Sequence, residues 1–258
     1  MALLTVTGVT KHFGGVAALE QVTFAVERGA IVSVIGPNGA GKTTLFNCVT
    51  GVLRPKEGSI RFGQERGEEL VGLAPHAVAQ CGIARTFQNI RCFAQMTALE
   101  NVMVGAHLRT HSGLVDALWP GRAARQEERW LVDRATMLLE RLGLSAETET
   151  LAGQLPYGMQ KRLELARALA SEPELLLLDE PAAGLNVREK QEQAALLRQL
   201  KAEGLTLMLI EHDMNFVLPL SDRIVVLDYG TVIAEGPPAA IQRDPRVIEA
   251  YLGAAPVS

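Results

Sequence analysis

The sequence has 258 residues, of which 48% are hydrophobic, and its 25 basic and 29 acidic side chains give a net charge of −4. This length suits one large domain or two modest ones, and the composition supplies enough apolar side chains for a sizeable core. A mildly acidic chain lacks the basic face that binding along a phosphate backbone requires, so we expect no nucleic-acid partner.

The cysteines and the N-terminus give no sign of a secreted or membrane-spanning protein. Cys48, Cys81 and Cys92 are an odd number with no C-x-x-C spacing, which favours reduced thiols over a metal or disulfide role. The N-terminus alternates like a strand and lacks a basic, apolar leader, so no signal peptide is expected. No apolar run approaches the ~18 residues of a membrane span, so work at a membrane would need a partner.

Two strands are predicted at the start of the chain, over residues 3–10 and 19–27, where apolar and polar side chains alternate. A turn is expected between them at residues 11–15. Phe13 in this turn has two interpretations. Its ring can stack on a flat nucleobase, or it can close the small sheet as an ordinary turn aromatic.

Residues 36–44 carry the strongest motif in the chain. They read GPNGAGKTT, follow the apolar run at 31–35 and open onto a helical pattern that ends near Gly51. This order of strand, glycine-rich turn and helix fits the phosphate-binding pattern G-x-x-x-x-G-K-[ST]. Glycines let successive N–H groups point inward, and the positive end of the following helix attracts a triphosphate.

Side chains at the end of this loop supply the remaining chemistry. Lys42 can reach the β and γ phosphates, and the Thr43 hydroxyl suits Mg²⁺, a cation that prefers oxygen ligands. We therefore expect a nucleoside triphosphate and Mg²⁺ to bind here. The predicted contacts are Asn38, Gly39, Ala40, Gly41, Lys42, Thr43 and Thr44.

Residues 57–63 and 83–88 are predicted strands, with a short helix at 75–80 between them. Gln88 falls at the end of the second strand, at the edge where α/β sheets place their ligands. Its amide oxygen can ligate a metal ion or orient a water molecule. Taken alone, a glutamine at such a position is more often a plain loop residue.

A helical region follows these strands. Helices are predicted at 98–106 and 123–142, the second with an apolar face that includes Trp130, and an irregular stretch lies between them at 107–122. The segment 89–105 is either part of an ordinary helical core or a docking surface. The second interpretation arises because Ile90, Phe93 and Met96 are apolar residues in a predicted loop.

Residues 155–169 predict a further helix with Pro156 at its start, where a missing N–H costs nothing. Gly158 permits close approach to the backbone. A helix N-terminus left open to an anion indicates a second phosphate contact.

Four consecutive leucines at 175–178 predict a central parallel strand, because the run is apolar on both faces. The strand leads into Asp179 and Glu180. Asp179 can hold Mg²⁺ through water, and Glu180 can polarise an attacking water molecule. An acidic turn without chemistry is the alternative, which the phosphate loop upstream disfavours.

The remaining predicted elements are a helix at 188–202, strands at 206–210, 223–228 and 231–235, and short helices over 238–252. The strand at 206–210 delivers His212 to the same sheet edge as the phosphate loop. There the imidazole can contact a γ-phosphate or a developing charge, although a lone histidine is usually structural.

Five features in this order resemble the ATP-binding-cassette ATPases, and the resemblance covers essentially the whole chain. They are the loop at 36–44, Gln88, the helix start at 155–160, the carboxylates after the leucine run, and His212. The resemblance implies an α/β fold over 1–258, with a P-loop NTPase core and a small antiparallel β subdomain at 1–88 and 171–258. It places a helical subdomain at 89–170.

The resemblance also implies roles for individual residues. Phe13 matches the adenine-stacking aromatic, and Gln88 matches the glutamine of the Q-loop, a catalytic residue and metal ligand. Asp179 and Glu180 match the Walker B aspartate, a metal ligand, and the catalytic glutamate, while His212 matches the switch histidine. The implied nucleotide contacts at the signature helix are Tyr157, Gly158 and Gln160.

The signature itself departs from the family pattern. It usually reads Leu-Ser-Gly-Gly-Gln, whereas residues 155–159 read LPYGM. Pro156 thus replaces the serine whose hydroxyl normally meets the γ-phosphate bound by a second subunit. The replacement favours a pair of two different ATPase subunits over an identical pair, and both remain open.

Several stretches look like the ATP-binding subunits of branched-chain amino-acid importers, among them 84–91, 163–167, 180–186 and 211–214. The 107–130 insertion looks like the larger of that system's two ATPase subunits. The resemblance implies ATP hydrolysis coupled to uptake, with partners in integral membrane permease subunits, a second ATPase subunit and, indirectly, a periplasmic or lipid-anchored solute-binding protein. It places the chain on the cytoplasmic face of the plasma membrane, held there by the permease. The alternatives are a similar urea or lipopolysaccharide transport system and a soluble cassette ATPase.

Overall fold

The computed structural model describes residues 1–63, 67–88, 90–107 and 122–252. The chain divides into two compact units, one made of Met1–Arg85 and Glu174–Ser258, the other of Thr86–Pro173. The predicted helical subdomain at 89–170 lies within the second unit, which extends slightly further at each end. Most of the predicted irregular stretch at 107–122, including the greater part of the insertion, lies outside the described residues, as does Asn89.

Strands and helices follow one another in the order expected of an α/β fold. The strands are β1 (Ala2–Phe13), β2 (Val16–Glu27), β3 (Ile31–Ile35), β4 (Glu57–Phe62), β5 (Glu68–Glu69), β6 (Ile83–Arg85), β7 (Leu175–Asp179), β8 (Thr206–Ile210), β9 (Arg223–Asp228) and β10 (Thr231–Gly236). The helices are α1 (Lys42–Val49), α2 (Pro75–Gln80), α3 (Ala98–Ala106), α4 (Arg122–Arg141), α5 (Tyr157–Ala170), α6 (Val187–Ala202), α7 (Met214–Leu220), α8 (Pro238–Ile241) and α9 (Pro245–Leu252). Among the described residues, no helix is both long enough and apolar enough to cross a membrane.

The first unit contains a four-stranded antiparallel sheet in the order β2-β1-β4-β5. Its first strand is longer than predicted, because Lys11, His12 and Phe13 pair with β2 rather than forming a turn. The reversal is confined to Gly14 and Gly15, and Gly14 takes a left-handed φ of +59°. A glycine pair can reverse the chain without help from its neighbours, so the strands continue up to the glycines.

The same unit contains a six-stranded sheet in the order β10-β9-β3-β8-β7-β6. Strand β3 pairs in parallel with β8, and β8 pairs in parallel with β7. All three strands are buried along their whole length, as expected for the centre of a parallel sheet. Because parallel strands end at one edge, the residues that follow β3, β7 and β8 are brought together there.

The core of the first unit lies around helix α1, which follows β3. Leu45 and Phe46 of this helix are fully buried together with side chains from both sheets. The helix that follows the candidate phosphate loop is therefore fixed by packing in a core that both sheets share. Rigid placement of this kind is what a binding loop needs.

The second unit is helical, and α3 packs against both α4 and α5. Helix α3 begins at a capping box, in which Thr97 and Glu100 each satisfy the other's backbone N–H. Its first turn is therefore held by side chains as well as by packing.

One prediction about α4 is wrong, because Trp130 is 40% exposed and does not belong to the apolar face. The first buried residue after it on this helix is Ala135. Steps of three and four residues back from Ala135 reach Val132 and Leu131, which are half-buried. The helical period therefore turns Trp130 outward.

Among the strands and α-helices of the described residues, the two-residue strand β5 and helix α7 were not predicted from the sequence. The helix begins after Asp213, whose side chain accepts the Asn215 N–H at 3.0 Å as an N-cap. An aspartate directly before an apolar stretch is a start signal for a helix. Helix α7 is short and contains a proline, so its sequence shows no clear helical periodicity.

Candidate functional site

The phosphate loop connects the end of β3 to the start of α1, and its shape depends on two glycines. Gly36 has a φ of +149°, and a Cβ atom at this position would lie 2.0 Å from the Leu227 carbonyl oxygen. Gly41 has a φ of +100°, and a Cβ atom there would lie 2.4 Å from the Ala18 carbonyl oxygen. Any other residue would therefore force the loop away from the strands beside it.

Lys42 is the first residue of α1, and its side chain turns back over the loop. The Nζ atom donates to the carbonyl oxygens of Gly36 at 2.7 Å and Pro37 at 2.8 Å. Burial lowers the pKa of Lys42, while the nearby carboxylates of Glu180 and Asp179 act in the opposite direction. The ammonium group thus lies at the sheet edge that also carries the two predicted carboxylates.

The outer side of the loop is open. Asn38, Gly39 and Thr43 are exposed, Thr44 is half-buried and Ala40 is buried. The N-terminus of α1 has no side-chain cap, so its first N–H groups are not occupied by a capping side chain. Such a helix start favours an anion through its N–H groups and its dipole.

Asp179 and Glu180 occupy different environments at the end of β7. The Asp179 side chain is 5% exposed, and its Oδ2 atom accepts a hydrogen bond from Arg85 Nη2 at 2.8 Å. Glu180 has a φ of +50°, which is uncommon for a residue other than glycine. Its N–H donates to the Ile210 carbonyl oxygen at 3.0 Å, a bond that helps to hold this conformation. Backbone strain of this kind clusters at functional sites.

His212 lies beside Glu180. Its Nδ1 atom is 3.9 Å from Glu180 Oε1, and the two side chains are 59% and 21% exposed. The fold therefore brings together a carboxylate and an imidazole that follow two neighbouring strands. Both side chains remain accessible to a ligand at this edge.

Glu211 is a residue of this site to which the sequence alone assigned no role. Its carboxylate is fully buried, accepts the Ala182 N–H on Oε1 at 2.7 Å and accepts the His212 N–H on Oε2 at 3.1 Å. Burial raises the pKa of Glu211, and the two N–H donors oppose that rise. The carboxylate thus ties the segment after Glu180 to His212. A charged residue directly after a buried strand was the signal that could have pointed to it.

Phe13 lies at the end of β1 and is 48% exposed, so much of its side chain is accessible. Lys11 Nζ lies 5.4 Å from the centre of the ring. An exposed aromatic ring with a cation close by suits stacking with a nucleobase that is attached to phosphates.

Gln88 belongs to the second unit, where it is exposed and lies beyond the end of β6 rather than in a strand. The strand ends early because the chain then bonds to a helix. The N–H groups of Phe87 and Arg91 donate to Glu164 Oε1 of α5 at 3.4 and 3.3 Å. Burial raises the pKa of Glu164, which these donors and Arg167 oppose. The loop that contains Gln88 is therefore anchored on both sides of the glutamine.

The signature region forms the start of α5, with Pro156 as its N-cap residue. Tyr157 is 46% exposed, and Lys161 Nζ lies 5.7 Å from its ring centre. Gly158 is half-buried, whereas the Gln160 amide donates from Nε2 to the Leu155 carbonyl oxygen at 2.8 Å. The helix start is thus accessible at Pro156 and Tyr157, while Gln160 supports the turn that precedes it.

The oxygen donors of the first unit fit Mg²⁺ bound together with phosphates. Within the described ranges, no group of three or more histidine, cysteine, aspartate or glutamate residues forms a metal cage. Magnesium seldom uses such cages in proteins, since it keeps several waters and takes one or two carboxylates plus substrate phosphates. The Thr43 hydroxyl and the Asp179 carboxylate provide donors of that kind.

Sequence comparisons identify the relatives of this chain. The family described as ABC transporter matches residues 19–183, and the family described as branched-chain amino acid ATP-binding cassette transporter matches residues 231–256. The high-affinity branched-chain amino acid transport ATP-binding protein BraF of Pseudomonas aeruginosa is 46% identical over 254 residues, or 98% of each chain. The protein LivG of Escherichia coli K12, which has the same description, is 44% identical over 254 residues with 98% of each chain covered.

Solved structures agree with these relatives. A nucleotide-free ATP-binding cassette from an ABC transporter matches with a TM-score of 0.85 and 33% identity, over 98% of this chain and 100% of that one. A dimeric bacterial ABC transporter cassette matches with a TM-score of 0.77 and 26% identity, over 91% of this chain and 98% of that one. The predicted fold class and family are therefore confirmed. The chain belongs to the ABC transporter family and is one of its ATP-binding cassettes, an ATPase subunit.

Proposed function

We propose that this chain hydrolyses ATP to drive the import of branched-chain amino acids through membrane permease subunits. The observation that carries the proposal is its 46% identity, over 98% of both chains, to a protein named for branched-chain amino acid transport. The match of residues 231–256 to the branched-chain amino acid cassette family supports the same solute class.

In this proposal the phosphate loop binds ATP with its N–H groups and with Lys42. Phe13 stacks on the adenine, and Thr44 supports the end of the loop. Thr43 and Asp179 hold Mg²⁺, and Gln88 keeps the role of metal ligand that the family resemblance implies. The metal, when bound, neutralises charge on the phosphates.

Glu180 and His212 carry the hydrolytic step in this proposal. Glu180 accepts a proton from the attacking water, which is the role its accessible carboxylate at the sheet edge suits. His212 contacts the γ-phosphate and stabilises charge that develops there. Their separation of 3.9 Å lets both side chains act on one group.

A second ATPase subunit completes the site in this proposal, and Tyr157, Gly158 and Gln160 of one subunit contact ATP held by the other. A dimeric cassette among the structural relatives supports pairing. The accessible start of α5 supports the contact, because a helix N-terminus attracts phosphate charge by about 0.3–1 kcal/mol. Pro156 lends no hydroxyl there, which favours a partner of different sequence.

Glu211 is expected to position His212 rather than to take part in chemistry. Replacing Glu211 with glutamine turns one of its two acceptor atoms into an N–H donor that opposes the donors of Ala182 or His212. We expect kcat to fall roughly tenfold, since the loss of about 1.4 kcal/mol of alignment gives that factor. Steady-state ATPase kinetics should show an unchanged KM for ATP.

A suitable control for this change is Glu57→Gln, which alters an exposed glutamate on β4. Equal losses of activity in both variants would argue against a positioning role for Glu211. A rise in KM with normal kcat would instead assign Glu211 to ATP binding.

The segment after Gln88 is proposed as the surface that meets the permease. Phe93 and Met96 are 47% and 37% exposed, and the Arg167 guanidinium lies 5.6 Å from the Phe93 ring centre. An exposed aromatic ring with a cation on one face is typical of an anchor at a protein interface.

Charge at this position should uncouple hydrolysis from transport. We expect Phe93→Glu to lower leucine uptake by roughly tenfold or more, because burying an unpaired carboxylate against a partner is costly. The ATPase activity of the paired ATPase subunits, measured without the permease, should stay unchanged. Phe93→Leu, which keeps an apolar side chain, is the matched control, and normal uptake by the glutamate variant would remove Phe93 from the interface.

Isolation of the assembly from membranes tests the proposed function most simply. The tagged subunit should be extracted with mild detergent together with integral membrane proteins and a second ATPase subunit. Such a complex would place the chain at the membrane through its permease partners, as the proposed cytoplasmic-face location requires. Recovery without any membrane protein would favour a soluble cassette ATPase, and uptake of urea or lipopolysaccharide instead of leucine would correct the solute.

A further inference from the structure

A buried ion pair lies beside the phosphate loop, and its basic member has no place in the roles proposed above. It joins Arg85, the last residue of β6, to Asp179 at the end of β7. Arg85 Nη2 donates to Asp179 Oδ2 at 2.8 Å, and the two side chains are only 7% and 5% exposed. Asp179 is therefore held by a charge that is itself withdrawn from solvent.

The same guanidinium group also contacts helix α1. Its Nη1 atom donates to Asn47 Oδ1 at 2.7 Å and to Thr50 Oγ1 at 3.4 Å. The guanidinium carbon lies 5.5 Å from the centre of the Phe46 ring. One side chain thus joins the carboxylate after the central strand to the helix that begins with Lys42.

The register of the sheet explains this reach. Arg85 lies opposite Leu177 in the parallel pairing of β6 and β7. Residues two apart on a strand face the same side, so Asp179 is the diagonal neighbour of Arg85 on the face covered by α1. A long side chain is needed to span that diagonal.

Arginine suits the position for two reasons. A buried carboxylate requires a partner, because leaving it unpaired away from water is costly. The planar guanidinium also offers separate N–H groups in fixed directions, so one group can bind Asp179 while another binds Asn47. A lysine at this position would keep the charge but would not hold both partners in this geometry.

We propose that Arg85 is a positioning residue that fixes the Asp179 carboxylate and keeps it at a set distance from the phosphate-loop helix through Asn47. The proposal rests on the role of Asp179 as a Mg²⁺ ligand in the proposed function. Groups that orient a metal ligand typically change metal affinity by roughly 10- to 100-fold when they are lost. Arg85 thereby contributes to metal binding without touching the metal or the nucleotide.

The test compares metal binding in Arg85→Lys with ATP binding in the absence of metal. Mn²⁺ serves as the probe, because it takes oxygen ligands as Mg²⁺ does and is detected directly by electron paramagnetic resonance. In the presence of ATP, the Kd for Mn²⁺ should rise by roughly 10- to 100-fold. Binding of ATP in EDTA should stay close to that of the parent protein. Thermal unfolding should remain cooperative with a lowered midpoint, because a buried hydrogen bond of Arg85 is lost.

Two further variants separate the parts of the proposal. Asn47→Ala keeps the ion pair but removes the tie to α1, so it should weaken Mn²⁺ binding in the same direction by a smaller factor. This variant also carries the test if Arg85→Lys fails to fold. The matched control is Arg28→Lys, which alters an exposed ion pair with Glu174 at 2.7 Å and should leave Mn²⁺ binding unchanged.

Asp179→Asn distinguishes a failure of this proposal from a failure of the proposed function. If Asp179→Asn weakens Mn²⁺ binding while Arg85→Lys and Asn47→Ala leave it unchanged, Arg85 has no positioning role and the assignment of Asp179 stands. If Asp179→Asn leaves Mn²⁺ binding unchanged, Asp179 is not a metal ligand, and both proposals about this carboxylate are wrong.

Discussion

Replacing Glu180 with glutamine is expected to leave ATP binding intact and to lower kcat by roughly 100- to 10,000-fold, the usual contribution of a positioned general base. Glutamine has the same shape and can keep the backbone bond to the Ile210 carbonyl oxygen. It cannot accept a proton at neutral pH. Single-turnover hydrolysis and equilibrium ATP binding, measured on the same preparation, separate the two effects.

Glu174→Gln provides a matched control for this change. Glu174 lies just before the opposite end of β7, is exposed and pairs with Arg28. Its replacement should leave kcat unchanged, because that end of a parallel sheet does not face the ligand edge. Near-normal turnover by Glu180→Gln would remove Glu180 from the catalytic step and direct attention to His212.

Replacing Lys42 with alanine is expected to weaken ATP binding by roughly 10- to 100-fold or more. Each charge-assisted hydrogen bond contributes about 1.5–3 kcal/mol, and about 1.4 kcal/mol corresponds to tenfold in affinity. The ammonium group lies within the loop itself, bonded to the Gly36 and Pro37 carbonyl oxygens. Titration with a fluorescent ATP analogue measures the loss.

Two control experiments distinguish weakened ATP binding from a loss of folding. Lys56→Ala, which changes a lysine that is 62% exposed in the same unit, should bind ATP normally. Thermal unfolding of Lys42→Ala should remain cooperative, because Lys42 stabilises the loop rather than the core. ATP binding at the parent level by Lys42→Ala would show that the loop amides suffice and that the lysine has another role.

Local sequence patterns were enough to predict the order of strand, glycine-rich turn and helix around residues 36–44. The glycines, the lysine and the threonine that shape this loop are all close together in the sequence. The motif can therefore be recognised from one short stretch. The leucine run before Asp179 was similarly clear, because only a strand buried on both faces is apolar at every position. The position of His212 followed from the strand before it.

Contacts between distant segments were beyond the reach of such patterns. Arg85 and Asp179 are paired across neighbouring strands, and Glu211 bonds to Ala182 from another strand end. Spacing along the chain marks neither of these two pairs, because the sheet order that brings each pair together is set by tertiary packing. The prediction that Gln88 ends a strand was wrong for a similar reason, since Glu164 draws the adjacent backbone to a helix.

The errors in the length of strand β1 and in the exposure of Trp130 had more local causes. Strand β1 continues through Phe13 because the two glycines that follow can make the turn alone. Trp130 was placed on the apolar face of α4 by its chemical type rather than by its angle around the helix. A strict use of the helical period would have turned it outward.

Uptake of radiolabelled leucine into proteoliposomes that contain the purified complex is the most direct measurement of the proposed function. Uptake should require ATP and Mg²⁺ on the side of the membrane that this subunit faces, and it should stop when this subunit carries Glu180→Gln. Leucine uptake that continues at the parent rate with Glu180→Gln, or that needs no ATP, would contradict the account.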